Sequence, residues 1–316
     1  MEYRVLGRTG LTVSRLCFGA LTIGPLQASL PLKEGAAVIR HALERGINFI
    51  DTAELYETYP YIRLAVGKEF KERVIIATKS YAYTAAMMEK SLQTALTELN
   101  RDYIDIFLLH EQESEHTLAG HREALEYLLR AKEKGLVRAV GISTHTVAGV
   151  RAFLLYPELD VLHPMVNMAG IGIKDGTLAD MLALLRRVKE RGAGIYGMKP
   201  LGGGHLIRRW REAMEFVLGL PELDAVAVGM KSRAEVDLNV ALVEGREIDP
   251  KLKAEVAAAE RRLQVEDWCC GCGRCVEKCP QGALRVEEGR ARVAAEKCVL
   301  CGYCGSACPE FCIKII

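Results

Sequence analysis

The chain has 316 residues, 50% apolar and 26% charged, and its Lys and Arg (42) nearly balance its Asp and Glu (41). That composition excludes intrinsic disorder, gives no electrostatic case for binding nucleic acid, and holds no apolar run near the roughly 20 residues a membrane span needs. The start, Met1-Glu2-Tyr3-Arg4, has no basic flank followed by an apolar stretch, so a cytoplasmic chain without a secretory signal is expected.

The first predicted element, Tyr3 to Ser14, consists of two short strand-like pieces around a Gly turn and reads as a hairpin closing the bottom of a barrel. Short β-branched or apolar runs then alternate with longer amphipathic stretches, the pattern of βα units and a parallel sheet. Strands are predicted at Leu16–Gly19, Asn48–Asp51, Val74–Thr78, Ile104–Leu109, Val137–Ile142, Val161–Val166, Gly194–Gly197 and Ala225–Val228. Helices are predicted at Lys33–Arg45, Met87–Leu99, Ala124–Lys134 and Leu178–Arg191. Eight strands make an α/β fold, a (β/α)8 TIM barrel, which with a terminal helix over Pro250–Leu263 occupies residues 1–265; a small α+β domain, residues 266–316, follows.

Chemistry in such barrels sits at the C-terminal ends of the strands. Asp51 ends the second strand, Tyr56 lies in the loop after it, Lys79 ends the third strand and His110 ends the fourth. Singly these read as a helix cap, rim packing, a solvated charge and a core histidine. Converging on one mouth, they form a general-acid system in which a cation is expected to depress the tyrosine pKa from about 10. The loops after strands seven and eight, Met198-Lys199-Pro200-Leu201-Gly202-Gly203-Gly204 and Gly229-Met230-Lys231-Ser232, have the glycines and helix starts that suit phosphate.

Ten of the eleven cysteines follow residue 268. The spacing C-x2-C-x2-C-x3-C-P runs through Cys269, Cys272, Cys275, Cys279 and Pro280, and recurs 29 residues later through Cys298, Cys301, Cys304, Cys308 and Pro309. Paired four-cysteine zinc sites are the alternative, but zinc ribbons use two separated C-x2-C pairs and leave the third cysteine and the C-P unexplained. Disulfides suit a chain without a secretion signal poorly. Cys17, Cys270 and Cys312 are left over as small buried hydrophobes or bystanders.

Over residues 1–245 the sequence resembles the aldo/keto reductase family, through Tyr3-Arg4-Val5-Leu6-Gly7-Arg8-Thr9-Gly10-Leu11, Phe49-Ile50-Asp51-Thr52-Ala53-Glu54-Leu55-Tyr56, the Lys79 strand, Leu108-Leu109-His110 and Val140-Gly141-Ile142-Ser143. The resemblance implies hydride transfer between NAD(H) or NADP(H) and a small carbonyl or alcohol. Tyr56 would be the proton donor, Lys79 paired with Asp51 its tuning group, and His110 the orienting group. It also implies coenzyme contacts at Ser143, Asn167, His163 (where the family usually has glutamine), Met198 (where many members stack a tyrosine), Pro200, Leu201, Gly202, Gly229, Lys231, Ser232, Glu235 and Asn239. Glu235 stands where an arginine often meets the 2′-phosphate, which leans toward NADH, although Lys231 and Arg233 are close enough to compensate. The family's usual C-terminal substrate loop is missing, replaced by the terminal helix and the cysteine-rich domain.

The tail resembles the two-cluster bacterial ferredoxin domain, whose fourth cysteine crosses to the other cluster. That resemblance implies two 4Fe-4S clusters, one on Cys269, Cys272, Cys275 and Cys308 and the other on Cys298, Cys301, Cys304 and Cys279. The expectation is an NAD(P)-dependent reductase or dehydrogenase with a ferredoxin or flavoprotein electron partner. A nicotinamide-sensing or electron-transfer subunit with little turnover is the alternative.

Overall fold

The computed structural model describes residues 1–316. β1 (Tyr3–Val5) and β2 (Thr12–Ser14) pair antiparallel. Their hairpin seals the barrel floor through buried Leu6, Leu11 and Val13, and the Arg8 amide donates to the Gly192 carbonyl. Glycine is required at position 7: φ is +49°, and a Cβ there would lie 2.1 Å from the Gly194 nitrogen.

Eight parallel strands close the barrel: β3 (Leu16–Gly19), β4 (Phe49–Asp51), β5 (Ile75–Ser80), β6 (Ile104–Leu109), β7 (Val137–Thr144), β8 (Val161–Pro164), β9 (Gly194–Met198) and β10 (Ala225–Gly229), with β10 pairing back onto β3. The period-two alternation of strands sends Cys17, Phe49, Ala77, Leu108, Ala139, Val161, Tyr196 and Ala227 into one interior cluster. Residues between them, such as Phe18, Ile50, Ile76 and Phe107, join the larger layer between sheet and helices. Four strands run past their predicted ends, β9 and β10 by one residue each. β5 carries Lys79 and Ser80 inside it and β7 reaches Thr144, while β8 stops at Pro164, beyond which Met165 makes only an isolated bridge to Met198.

The terminal helix, Pro250–Ala258, ends before the predicted Leu263. Beyond it come β11 (Leu263–Val265), the hairpin of β12 (Leu284–Glu287) and β13 (Arg290–Val293), and β14 (Ile313–Ile315). β11 pairs antiparallel with β14, Leu263 opposite Ile315, so these residues form the edge of the second unit rather than a helix end. The expected boundary at residue 266 falls just after this strand.

The second unit docks on the barrel mouth. The Ile315 amide donates to the Gly203 carbonyl at 2.9 Å, and a Cβ on Gly204 would lie 2.0 Å from the Ile315 oxygen. His205 lies against Gly302 and Gly305 and its Nε2 is 2.8 Å from the Ile313 carbonyl. Phe311 packs with Met165, Ile171, Met198 and Leu206 from the loops above β8 and β9. No helix is long and apolar enough to cross a membrane.

Candidate active site

Inward-facing positions at the strand ends put Asp51, Lys79, His110, Ser143 and His163 around one mouth, all buried. A short 3-10 turn, Glu54–Tyr56, carries the tyrosine. Glu54 Oε2 pins that turn by accepting from Ser80 Oγ at 2.7 Å and Ser91 Oγ at 2.8 Å.

Lys79 donates to both Asp51 oxygens at 2.8 Å and to the Thr52 carbonyl at 2.7 Å, which uses all three ammonium protons. Its Nζ lies 5.0 Å from the Tyr56 ring centroid. The expected depression of the tyrosine pKa is not what this geometry produces. Burial, then the Asp51 and Glu111 carboxylates, push Tyr56 well above the usual phenol range, because Asp51 already balances the Lys79 charge. Tyr56 therefore keeps its proton at neutral pH, the state a general acid needs.

His110 stacks on Tyr81 with centroids 4.3 Å apart, and Tyr56 meets it edge-on at 5.7 Å. Burial, then the nearby Lys79 and Lys199 charges, hold His110 well below its ordinary pKa, so it is neutral. Its Nδ1 is buried with no hydrogen-bond partner.

Tyr196 is a site residue that the sequence reading did not single out. Its hydroxyl donates to Asp51 Oδ1 at 2.9 Å, and its ring stacks on His163 at 3.8 Å. The signal was present in the alternation of β9, where Tyr196 shares the inward face with Gly194 and Met198.

The expected coenzyme residues divide. Ser143 Oγ accepts the Glu111 amide at 2.9 Å and keeps its own proton to donate. Met198 lies buried against Phe311, Pro200 is buried, and Leu201 and Gly202 follow at the mouth. His163 Nδ1 donates to the Tyr196 carbonyl at 2.6 Å, which leaves Nε2 3.6 Å from Asp51. Asn167 is committed to its own loop, accepting from the Ala169 and Ile171 amides and donating to the Ile171 carbonyl. Of the glycine loop, Gly203 and Gly204 hold β14.

Around the loop after β10, Gly229 presses on Thr22, where a Cβ would come within 1.9 Å of Oγ1. Ser232 caps the helix Arg233–Val243 by accepting the Glu235 amide. Asn239 bonds Trp210 Nε1 and the Glu235 carbonyl. Glu235 itself accepts the Lys231 amide at 2.7 Å and lies 3.5 Å from Arg261, while Lys231 Nζ donates to the Glu260 carbonyl. Arg261, on the segment leading to the second unit, is thus the side-chain cation beside Glu235.

The cysteines of the second unit line two cavities. Cys269, Cys272, Cys275 and Cys308 surround one, together with Cys270 and Cys312, and Cys279, Cys298, Cys301 and Cys304 surround the other. No three His, Cys, Asp or Glu side chains converge on a point suited to a single metal ion. Four thiols spread around a cavity suit an iron–sulfur cube instead, because each binds its own iron. Backbone amides aim at the sulfurs, Ala283 at Cys279 over 3.2 Å and Ala291 at Cys269 over 3.4 Å, as cluster sites favour. The hydrogen bond with Cys312, 3.3 Å away, holds the Cys308 thiol below its ordinary pKa.

The fold and the mouth define a barrel oxidoreductase with an appended iron–sulfur domain. Residues 15–216 match the profile of the aldo/keto reductase family, and the chain belongs to that family. Residues 262–309 match the 4Fe-4S dicluster domain. L-galactose dehydrogenase of Arabidopsis thaliana is 27% identical, across 86% of this chain and 98% of that protein. The 6-dehydroglucose reductase of Novosphingobium aromaticivorans is 28% identical, across 65% of this chain and 70% of its own length. A solved aldo-keto reductase structure from Pseudomona aeruginosa superposes with a TM-score of 0.66 at 26% identity, covering 77% of this chain and 94% of that one.

Proposed function

We propose that the barrel mouth catalyses NAD(P)-dependent interconversion of a small carbonyl compound and its alcohol. Carrying this reading is the convergence of a protonated Tyr56 with a neutral His110, ring centroids 5.7 Å apart at one mouth. When bound, the nicotinamide supplies or accepts the hydride. His110 orients the substrate oxygen by a hydrogen bond, and Tyr56 gives that oxygen its proton. The Lys79 ammonium stands 5.0 Å from the tyrosine ring, fixed there by Asp51, a carboxylate that Tyr196 holds in turn. Oxidation of the alcohol runs the same steps backward. Ser143, Met198, Pro200, Leu201, Gly202 and the start of the helix Arg233–Val243 would bind the coenzyme. The relatives' names point to sugar-type substrates, and a mouth carrying Glu111, His145 and Lys199 suits a hydroxylated molecule.

The cysteine quartets would hold two 4Fe-4S clusters, which supply single-electron transfer to a ferredoxin or flavoprotein partner. Phe311, from the second unit, packs on Met198, and this favours a second reading in which the barrel senses nicotinamide and passes that state to the second unit. Anaerobic steady-state turnover of an aldehyde and hexose panel with NADH and NADPH separates the two. Turnover supports the enzyme, whereas tight coenzyme binding with no turnover of any panel member supports the sensor.

A further inference from the structure

Two lysines at the mouth have no carboxylate partner. Lys199, in the left-handed conformation at φ +56° just after β9, places Nζ 2.8 Å from His145 Nε2. Lys314, 6% exposed in β14, donates to the Phe311 carbonyl. The two ammonium groups lie on the Phe311 ring, 5.0 Å and 2.9 Å from its centroid. A lysine as buried as Lys314 is nearly always ion-paired, since desolvating an unpaired cation is costly, and half-buried Lys199 likewise lacks an acid. Here both settle for neutral partners, one from each domain.

The surroundings connect this cation pair to the reacting centre. His145 lies just past the end of β7, two residues after Ser143, and its Nδ1 is 3.5 Å from Glu111 Oε1. Glu111 directly follows His110, and its other oxygen accepts from Tyr81, which stacks on His110. A continuous arc thus runs from His110 through Glu111 and His145 to Lys199. Lys199 Nζ ends that arc, on His145 and beside the Phe311 ring. Glu111 is the one acid in the arc, and Tyr81 and His145 already engage it.

We infer that Lys199, assisted by Lys314 of the docked domain, binds a carboxylate carried by the substrate, so that the mouth selects an acidic hydroxylated carbonyl compound over its neutral counterpart. This rests on the carbonyl–alcohol reading for the reaction but not for the binding of the anion. The second domain then completes the substrate pocket through Phe311 and Lys314, as the missing C-terminal loop would otherwise do.

The test uses the full chain with its clusters. Oxo acids of graded length are assayed against their methyl esters, and gluconate is titrated against the NADH-loaded protein by fluorescence, which needs no turnover. The expected result is a kcat/KM preference for the acids of at least about tenfold, lost in Lys199→Gln and largely kept in Lys199→Arg, with gluconate binding weakened in parallel. Lys314→Gln should give a smaller loss in the same direction. Esters turned over as well as acids, with no gluconate binding, overturn the inference. So does a Lys199→Gln variant in which only NADH affinity falls, since the lysine would then serve the coenzyme diphosphate. Lys199-dependent gluconate binding without turnover of any carbonyl compound would uphold the anion site while removing the proposed reaction.

Discussion

The Tyr196 hydroxyl donates to Asp51 Oδ1 at 2.9 Å, so the carboxylate that holds Lys79 is itself held from across the barrel. Asp51→Asn would leave the buried Lys79 ammonium without a counter-charge, an error costing about 3–5 kcal/mol. Tyr196→Phe removes one hydrogen bond and should cost about 1–3 kcal/mol, because Lys79 still satisfies the carboxylate. Urea unfolding of the two variants should rank them in that order. Equal losses would show that Tyr196, not Lys79, carries the pair.

Tyr56→Phe deletes the proton donor without changing the ring's packing. Carbonyl reduction should fall by at least about 10²-fold while coenzyme affinity, read by fluorescence, stays nearly unchanged. Retained turnover would remove Tyr56 from the acid role.

The cavities sort the cysteines across the repeat, Cys279 with the later set and Cys308 with the earlier. Anaerobically prepared protein should contain about eight iron and eight sulfide. Cys279→Ala should damage the cluster of Cys298, Cys301 and Cys304, as seen by paramagnetic resonance of the reduced protein. Damage confined to the cluster of Cys269 would reverse the assignment.

A Cβ on Gly305 would lie 2.1 Å from His205 Cδ2. Gly305→Ala should loosen the second unit from the barrel, exposing the segment between Ala258 and Leu263 to proteolysis while iron content is kept. Adding His205→Ala makes room for the new methyl group and should restore protection. Failure of that rescue would mean the alanine acts within its own short helix.

His110, His145, His163 and His205 are all held below their ordinary pKa, primarily by burial, His163 down to about 4. Such groups bind fewer protons when folded than when unfolded. Stability is therefore full above about pH 6.5 and is lost as pH falls below it toward the folded values. The urea midpoint of the barrel, followed by near-ultraviolet circular dichroism, should drop between about pH 6.5 and 4.5, and less steeply in His163→Gln. A flat profile across that window would show these imidazoles to titrate in the fold as they do in the unfolded chain.

The strand–helix alternation, the strand-end Asp51, Lys79 and His110, and the doubled cysteine run are local patterns, and each was legible in the sequence because its physics is local. A strand places alternate residues on one face, a barrel gathers strand ends at one mouth, and cluster ligands recur at fixed spacing. What the sequence could not show were the contacts made between distant segments. Leu263 reads as the end of a helix until Ile315 arrives as its strand partner. Gly203 and Gly204 read as a phosphate loop until β14 covers them. A lysine near a tyrosine reads as a pKa depressant until Asp51 and Thr52 take every proton it can donate. Lys199 and Lys314, 115 residues apart, become one cation site only because Phe311 brings the second unit into the mouth. Burial and partner choice depend on which surfaces meet, and only the tertiary structure decides that.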